Sequence, residues 1–278
     1  MTKSVSEVVA QGQDNIDQAQ RIAAGSRRRR YLAVVVGWVG FLGLWWGLSA
    51  WLGSEARLPS PPRVFHEILT ILEGDFWNQF WASIVRVGAG FVAAVLIGTP
   101  LGFAMGRSRY WGNFLQAPVV VAGSIPGLTY AVMAFVVFGI SFWGPVLAVG
   151  LISMPYVAIN VAEGVRGVDR GLIDMSTSYG RTERQVFRHV VVPSVLPFIF
   201  AGVRLSFSLA WKVGTLTEVF GSSKGIGFQV RRNFQLFNMP AVIAWVLLFI
   251  VFMLLLERLV LVRMERRLFR WRQWERDQ

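Results

Sequence analysis

Few side chains in this sequence could do acid–base, nucleophilic or metal chemistry, and their spacing argues against it. His66 and His189 are the only histidines, the only lysines are Lys3, Lys212 and Lys224, and cysteine is absent. Histidine is the favoured acid–base group near neutral pH, but neither histidine falls in an apolar stretch, and His189 lies among basic residues. Without cysteine there is no disulfide and no thiolate metal site, and no pair of carboxylates in the polar loops at 106–112 and 163–192 has metal-ligand spacing. None of the lysines ends a G-x-x-x-x-G-K-[ST] loop, whose amides and lysine would cradle phosphates. An enzyme, a metal centre and a resident cofactor are therefore not expected, and any nucleotide chemistry must come from another polypeptide. Two features remain. Arg204, Lys212 and Glu218 interrupt one apolar stretch, and a polar segment, "DMSTSYGRTERQVFRHVVVPSVLP" (Asp174 to Pro197), interrupts the whole.

The elements that must carry these residues are membrane helices. The 278 residues are 54% hydrophobic and 16% charged, against about 25% charged in ordinary soluble domains. Residues 31–54, 87–106, 110–162 and 233–256 carry no charge at all, and about 20 apolar residues of helix cross a bilayer. The first stretch is too long, and wrongly flanked, for a cleaved signal peptide. Residues 110–162 must fold as two spans, with "GISFWGP" (Gly139 to Pro145) as the turn. The expected spans are residues 31–52, 81–105, 113–138, 145–162, 193–219 and 239–256. The fold class is all-α, with six transmembrane helices and both termini on one side.

The positive charges assign the sides. The termini and residues 106–112 and 163–192 hold 20 of the 28 lysines and arginines, while residues 53–80, 139–145 and 220–238 hold five. Basic residues accumulate on the cytoplasmic side, so both termini are expected in the cytoplasm. The same rule accounts for the net charge of +12 as attraction to an anionic leaflet of membrane lipid, with no need of nucleic acid. Residues 1–30 read as a poorly ordered cytoplasmic tail, residues 31–262 as the transmembrane domain and residues 263–278 as a basic cytoplasmic tail.

Residues 163–192 then form the largest internal cytoplasmic loop. Val165, Val168, Leu172, Met175 and Tyr179 recur at helical spacing. Gly180 suits a helix C-terminus that needs positive φ. Thr182 and Gln185 have capping-box spacing and start a second helix, with Val186, Phe187 and Val190 on one face. Pro193 is expected to close the loop and open the fifth span, since proline is tolerated in a first turn.

This loop resembles the cytoplasmic signature of the membrane subunits (permeases) of bacterial ABC importers. Asp174-Met175-Ser176 takes the place of E-A-A, Gly180 that of the glycine, Phe187 and Val190 the apolar positions, and Pro193 and Pro197 the two prolines. Asp for Glu and Met-Ser for Ala-Ala depart from the pattern. The resemblance runs from about Leu58 to Arg272. "SIPGLTYAVMAFVVFG" and "GVRLSFSLAWKVGTLTE" are similar to segments of the subgroup that imports nitrate, taurine and alkanesulfonates.

The resemblance implies a cytoplasmic (inner) membrane permease, with Asp174, Met175, Ser176, Gly180, Phe187, Pro193 and Pro197 forming a coupling helix that docks on an ATPase. It implies a second permease copy (a homodimer), two ATP-binding subunits, and a periplasmic or lipid-anchored solute-binding protein. The cargo class is a small organic or inorganic anion, the alternative being a non-anionic molecule such as a pyrimidine precursor. Ser124, Pro126, Gly127, Tyr130, Arg204, Trp211, Lys212 and Glu218 are the expected path residues. An arginine frequent in the subgroup's third span is replaced by Gly123, and Lys212 stands where an apolar residue is usual.

Other spacings read as packing. Gly90, Ala94, Gly98, Gly102 and Gly106 repeat every four residues, which lets a neighbouring helix of the same bundle approach closely. Pro126-Gly127 should break the third span, a break tolerated at that depth only against protein or a water-filled cavity. Ser60-Pro61 should start an external helix along Val64, Phe65, Ile68, Leu69 and Leu72, ended by Gly74. The orientation is testable because the chain lacks cysteine. A membrane-impermeant thiol reagent applied to cells with a permeabilised outer membrane should label a cysteine at Ser223 and not one at Ser178; the reverse pattern would invert the topology.

Overall fold

The computed structural model describes residues 32–53 and 57–264. The tail expected at residues 1–30 and all but the first two residues of the one expected at 263–278 lie outside the described residues. The chain divides at Phe65–His66 into two compact units. All regular elements among the described residues are helical.

The first unit contains α1, Leu32–Leu52, which is apolar on every side and has no buried residue in its most hydrophobic window. A helix of that kind is a membrane span rather than an amphipathic surface helix. Where α1 ends, its polar side chains hold the descending chain. Trp45 Nε1 donates to the Pro59 carbonyl at 3.1 Å and Ser49 Oγ to the Leu58 carbonyl at 2.9 Å. Helix α2, Pro61–Glu73, then opens on the Ser60 carbonyl, which accepts from Arg63 and Val64.

The second unit is built around α6, Trp143–Arg166, set between α3, Phe76–Arg107, and α9, Val192–Gly221. Lipid tails are as apolar as leucine, so membrane helices gain little by hiding apolar surface and associate mainly by close packing. The expected small-residue stripe supplies that packing, with α6 as its partner. A Cβ at Gly98 would lie 2.9 Å from the Met154 carbonyl oxygen, and one at Gly102 would lie 2.5 Å from that of Ala158. Gly90 meets Val146 and Val149 in the same way, and Gly106 meets Val165. Valines at 149, 157, 161 and 165 thus fit the notches at 90, 98, 102 and 106. On the other side of α6, Gly202 of α9 abuts Tyr156, Val157 and Asn160.

Helix α11, Met239–Leu256, joins through aromatic rings. Phe76 lies 5.7 Å from Trp245 and Phe80 lies 4.6 Å from Phe252. Ile68, Ile71 and Leu72 of α2 pack on the same cluster. Among the described residues five helices are long and apolar enough to cross a membrane, six when α4, Arg109–Ser124, and α5, Gly127–Phe138, count as one span bent by 91°.

Two boundaries need correction. The third span starts at Arg109 and not at residue 113, while its expected break falls at Ile125-Pro126, where the chain turns sharply. The fifth does not begin at Pro193. Helix α8, Glu183–Val186, passes through a π-helical stretch, Phe187–Val191, directly into α9, giving one apolar helix from Glu183 to Gly221. A proline inside an α-helix clashes with the carbonyl four residues back; the π stretch resets the hydrogen-bond register just before Pro193 and lets the helix continue. Residues 220–238 contain a further helix, α10, Ile226–Gln235.

The α3–α6 seam yields a prediction. Gly102→Val forces a branched side chain against Ala158 and Val161, and overpacking of this kind costs about 1–3 kcal/mol. The variant should lower the thermal unfolding midpoint in detergent, whereas Gly88→Val, where nothing lies within 4 Å, should leave it within error of the parent.

Candidate functional site

The polar hairpin is built by local rules. Helix α7, Arg170–Ser178, is capped by Asp169, whose carboxylate accepts from Gly171 N at 2.8 Å. Its C-terminus is a full Schellman closure. Arg181 N donates to the Ser176 carbonyl at 3.2 Å, Gly180 N donates to that of Thr177 at 2.9 Å, and Gly180 sits at φ +74. The capping box follows: Thr182 N donates to Gln185 Oε1 at 3.0 Å, and Gln185 N donates to Thr182 Oγ1.

The hairpin leaves α7 without a single buried residue. Leu172, Met175 and Tyr179, at spacing three and four, are 44%, 52% and 81% exposed. Asp174, Gly180 and Pro193 are exposed, Ser176 and Pro197 half-exposed. Phe187 is pulled the other way, its ring 5.7 Å from that of Phe103 on α3.

The bend between α4 and α5 is held by two tyrosines. The last carbonyls of a helix lack intrahelical partners, and Pro126 cannot donate one. Tyr130 Oη donates to the Ala122 carbonyl at 2.9 Å and Tyr156 Oη to that of Gly123 at 3.3 Å. Ser124 turns back on the Val120 carbonyl. The bend abuts α9, where a Cβ on Gly127 would lie 2.7 Å from Val213 Cγ2, the residue after Lys212.

Helix α9 separates its four expected path residues. Arg204 faces the end of α11, with Glu257 at 3.7 Å. Trp211 is buried between Phe207 and Phe249, and its indole nitrogen has no acceptor among the described residues. Lys212 is exposed on the face that also carries Ala201 and Leu205, with no carboxylate in ion-pair range among the described residues.

Glu218 is fully buried. It accepts from Ser83 Oγ at 2.7 Å, from Arg86 at 3.3 Å and from Gly227 N at 3.1 Å. Ser83 Oγ accepts from Ile226 N at 2.9 Å and Gln79 Oε1 from Gly225 N at 2.8 Å. Glu218 thus seats the N-terminus of α10, where unpaired amides and the helix dipole favour a carboxylate. Gln79, Ser83 and Arg86 escaped the sequence reading, although a polar stripe at spacing four and three in an apolar helix was there to be seen.

The family model for a binding-protein-dependent transport system inner membrane component matches residues 70–270. The chain belongs to this family. The taurine transport system permease protein TauC of Escherichia coli is 30% identical over 237 residues, 83% of this chain and 86% of that protein. The formylaminopyrimidine transport permease protein ThiX of Halalkalibacterium halodurans is 27% identical over 204 residues, 72% of this chain and 80% of that protein. An inward-facing structure of the MetNI methionine ABC transporter superposes with a TM-score of 0.60 at 19% identity, over 69% of this chain and 94% of that one, which shows the shared fold. The protein is an inner-membrane permease of the ABC importer type, a transport subunit and not an enzyme.

The left-handed residue of this permease's hairpin can be probed directly. A side chain there adds about 1–2 kcal/mol of left-handed strain, least for asparagine. Gly180→Val should speed tryptic cleavage after Arg181 and Arg184 several-fold and reduce import, while Gly180→Asn stays near the parent. Equal cleavage of all three would show that the closure does not depend on Gly180.

Proposed function

We propose that two copies of this chain enclose a path for a small anion of the sulfonate type. In this reading the protomer has six spans, α4 and α5 forming one of them, and both termini are cytoplasmic with the hairpin at 163–192. The charge count of 20 against five supports that orientation. The exposed stripe Leu172, Met175 and Tyr179, with Asp174, Ser176 and Gly180 beside it, is the surface for one of two ATP-binding subunits. A short amphipathic helix with no buried residue needs a partner to cover its apolar side. A solute-binding protein delivers cargo at the opposite face, where α2 and α10 lie.

The observation that carries the cargo reading is Lys212. An ammonium at span depth is expensive against hydrocarbon, and this one lies on an exposed face without a carboxylate partner among the described residues. Glu218, the acid next along the helix, is consumed by Ser83, Arg86 and Gly227. The face of α9 bearing Lys212, next to the α4–α5 bend with Ser124, Pro126 and Gly127, is therefore turned to water at the centre of the pair. Arg204, Trp211, Tyr130 and Glu218 support that wall from behind. The similarity to a taurine permease agrees with an anionic sulfonate group as cargo. The similarity to a formylaminopyrimidine permease favours a second reading, an uncharged ring, whose import would not depend on Lys212.

Uptake of taurine, an alkanesulfonate and formylaminopyrimidine, each with its binding protein, separates the two. Lys212→Met should lower sulfonate import about tenfold or more and Lys212→Arg should retain most of it, at equal expression and equal ATPase retention. A Met variant that imports sulfonate at the parental rate would remove Lys212 from the path.

A further inference from the structure

Behind the polar hairpin, on the side away from the exposed stripe of α7, lies a cavity of about 720 Å³. It is enclosed by the end of α3, the start of α4, the end of α6 and the inner side of α7 and α8. Four arginines line it, Arg107, Arg109, Arg166 and Arg170, against one carboxylate, Glu183. None of the four has an ion-pair partner among the described residues. Arg166 makes one long bond, to the Met105 carbonyl at 3.4 Å. Asn113 and Gln116 bring further donors, while Phe103, Val186 and Phe187 make an apolar wall.

Like charges gathered in one concavity repel unless an anion joins them, and the planar guanidinium is the group best matched to phosphate oxygens. The depth of the cavity identifies the level at which that anion is met. On α4 the residues facing the cavity are Arg109, Gly112, Asn113 and Gln116. The other side of the same two turns carries Tyr110, Trp111 and Phe114, which are 71%, 47% and 60% exposed and in mutual ring contact. Exposed aromatic rings at a span's end mark the headgroup layer, so the arginines stand at the level of lipid phosphates. The apolar wall leads from that layer toward the hydrocarbon.

We propose that this cavity is a binding site for a phosphate group, in the first place that of an anionic phospholipid headgroup, lodged between the hairpin and the membrane helices. A lipid so placed would brace the hairpin from behind, on the side opposite to the surface offered to the ATPase. The leaflet rests on the proposed orientation; the binding does not, and its test needs no transport readout.

The test uses the intact transporter complex in detergent. It is supplied with phosphatidylglycerol in a phosphatidylcholine background, washed, and its retained lipids are counted by native mass spectrometry. The parent should retain phosphatidylglycerol in preference to phosphatidylcholine. Arg109→Gln with Arg170→Gln should reduce retention about a hundredfold or more, as the loss of two charge-assisted contacts implies. Arg181→Gln with Arg188→Gln, which removes the same charge from the hairpin outside the cavity, should leave it unchanged, and Glu183→Gln should raise it. Inorganic phosphate supplied without lipid distinguishes the source: if it protects the hairpin from trypsin in the parent and not in the cavity variant, the phosphate site stands with a soluble ligand. Equal loss of lipid in both arginine pairs would overturn the site in favour of diffuse surface charge. Loss of ATPase retention alone, with lipid and phosphate responses intact in the cavity variant, would assign the arginines to the partner subunit and overturn it as well.

Discussion

The distance between α3 and α6 governs this structure. Inside a bilayer two helices have no water to escape, so they hold together only where their backbones come close enough for dense van der Waals contact. Glycines at 90, 98, 102 and 106 grant that approach and valines of α6 take up the space. Everything else is placed relative to that pair. Helix α9 lies along the other side of α6, the α4–α5 bend rests on α9 through Gly127 and Val213, and the rings of α11 lock onto the start of α3.

A second layer of order comes from polar groups that cannot be left bare. Backbone amides and carbonyls freed by a break must find partners within the protein at membrane depth. The bend at Pro126 releases carbonyls that Tyr130 and Tyr156 recapture, and the N-terminus of α10 is received by Glu218, Ser83 and Gln79. Gly225 and Gly227 are obligatory there for reasons of space. A Cβ on Gly225 would lie 2.5 Å from the Glu218 carboxylate, and one on Gly227 would strike the Thr215 carbonyl. Irregular backbone is thus fastened by side chains from regular helices.

What could be read from the sequence was what depends on neighbours a few residues apart. Span lengths, the four-residue glycine stripe, the positive φ at Gly180 and the capping box at Thr182 and Gln185 are all local in this sense. The break at Pro126 was visible as well, though not its angle, which depends on what α5 packs against. Contacts between distant residues were not legible. Glu218 stands among the expected path residues, whereas the groups that bind its buried carboxylate, Ser83 and Arg86, stand 135 and 132 residues away. Tyr130 and Trp211 were assigned to the path by resemblance, yet a hydroxyl bond across the bend and an aromatic cluster draw them into the protein. Pro193 misled because proline usually marks a helix start, and a local change of helical register is not encoded by any single residue type.

That change of register has a mechanical consequence. Because the helix does not stop at Pro193, the segment from Glu183 to Gly221 is one body of 39 residues, about 58 Å long at 1.5 Å per residue. One end carries the hairpin; the other ends at the carboxylate that seats α10. A stiff lever of that length turns a tilt of about 5° at one end into about 5 Å of travel at the other. Lys212 rides near its far end, so displacement there needs no unfolding and no chain of small side-chain shifts. A break at Pro193 would let the two ends move independently; the π turn carries the helix past that proline unbroken.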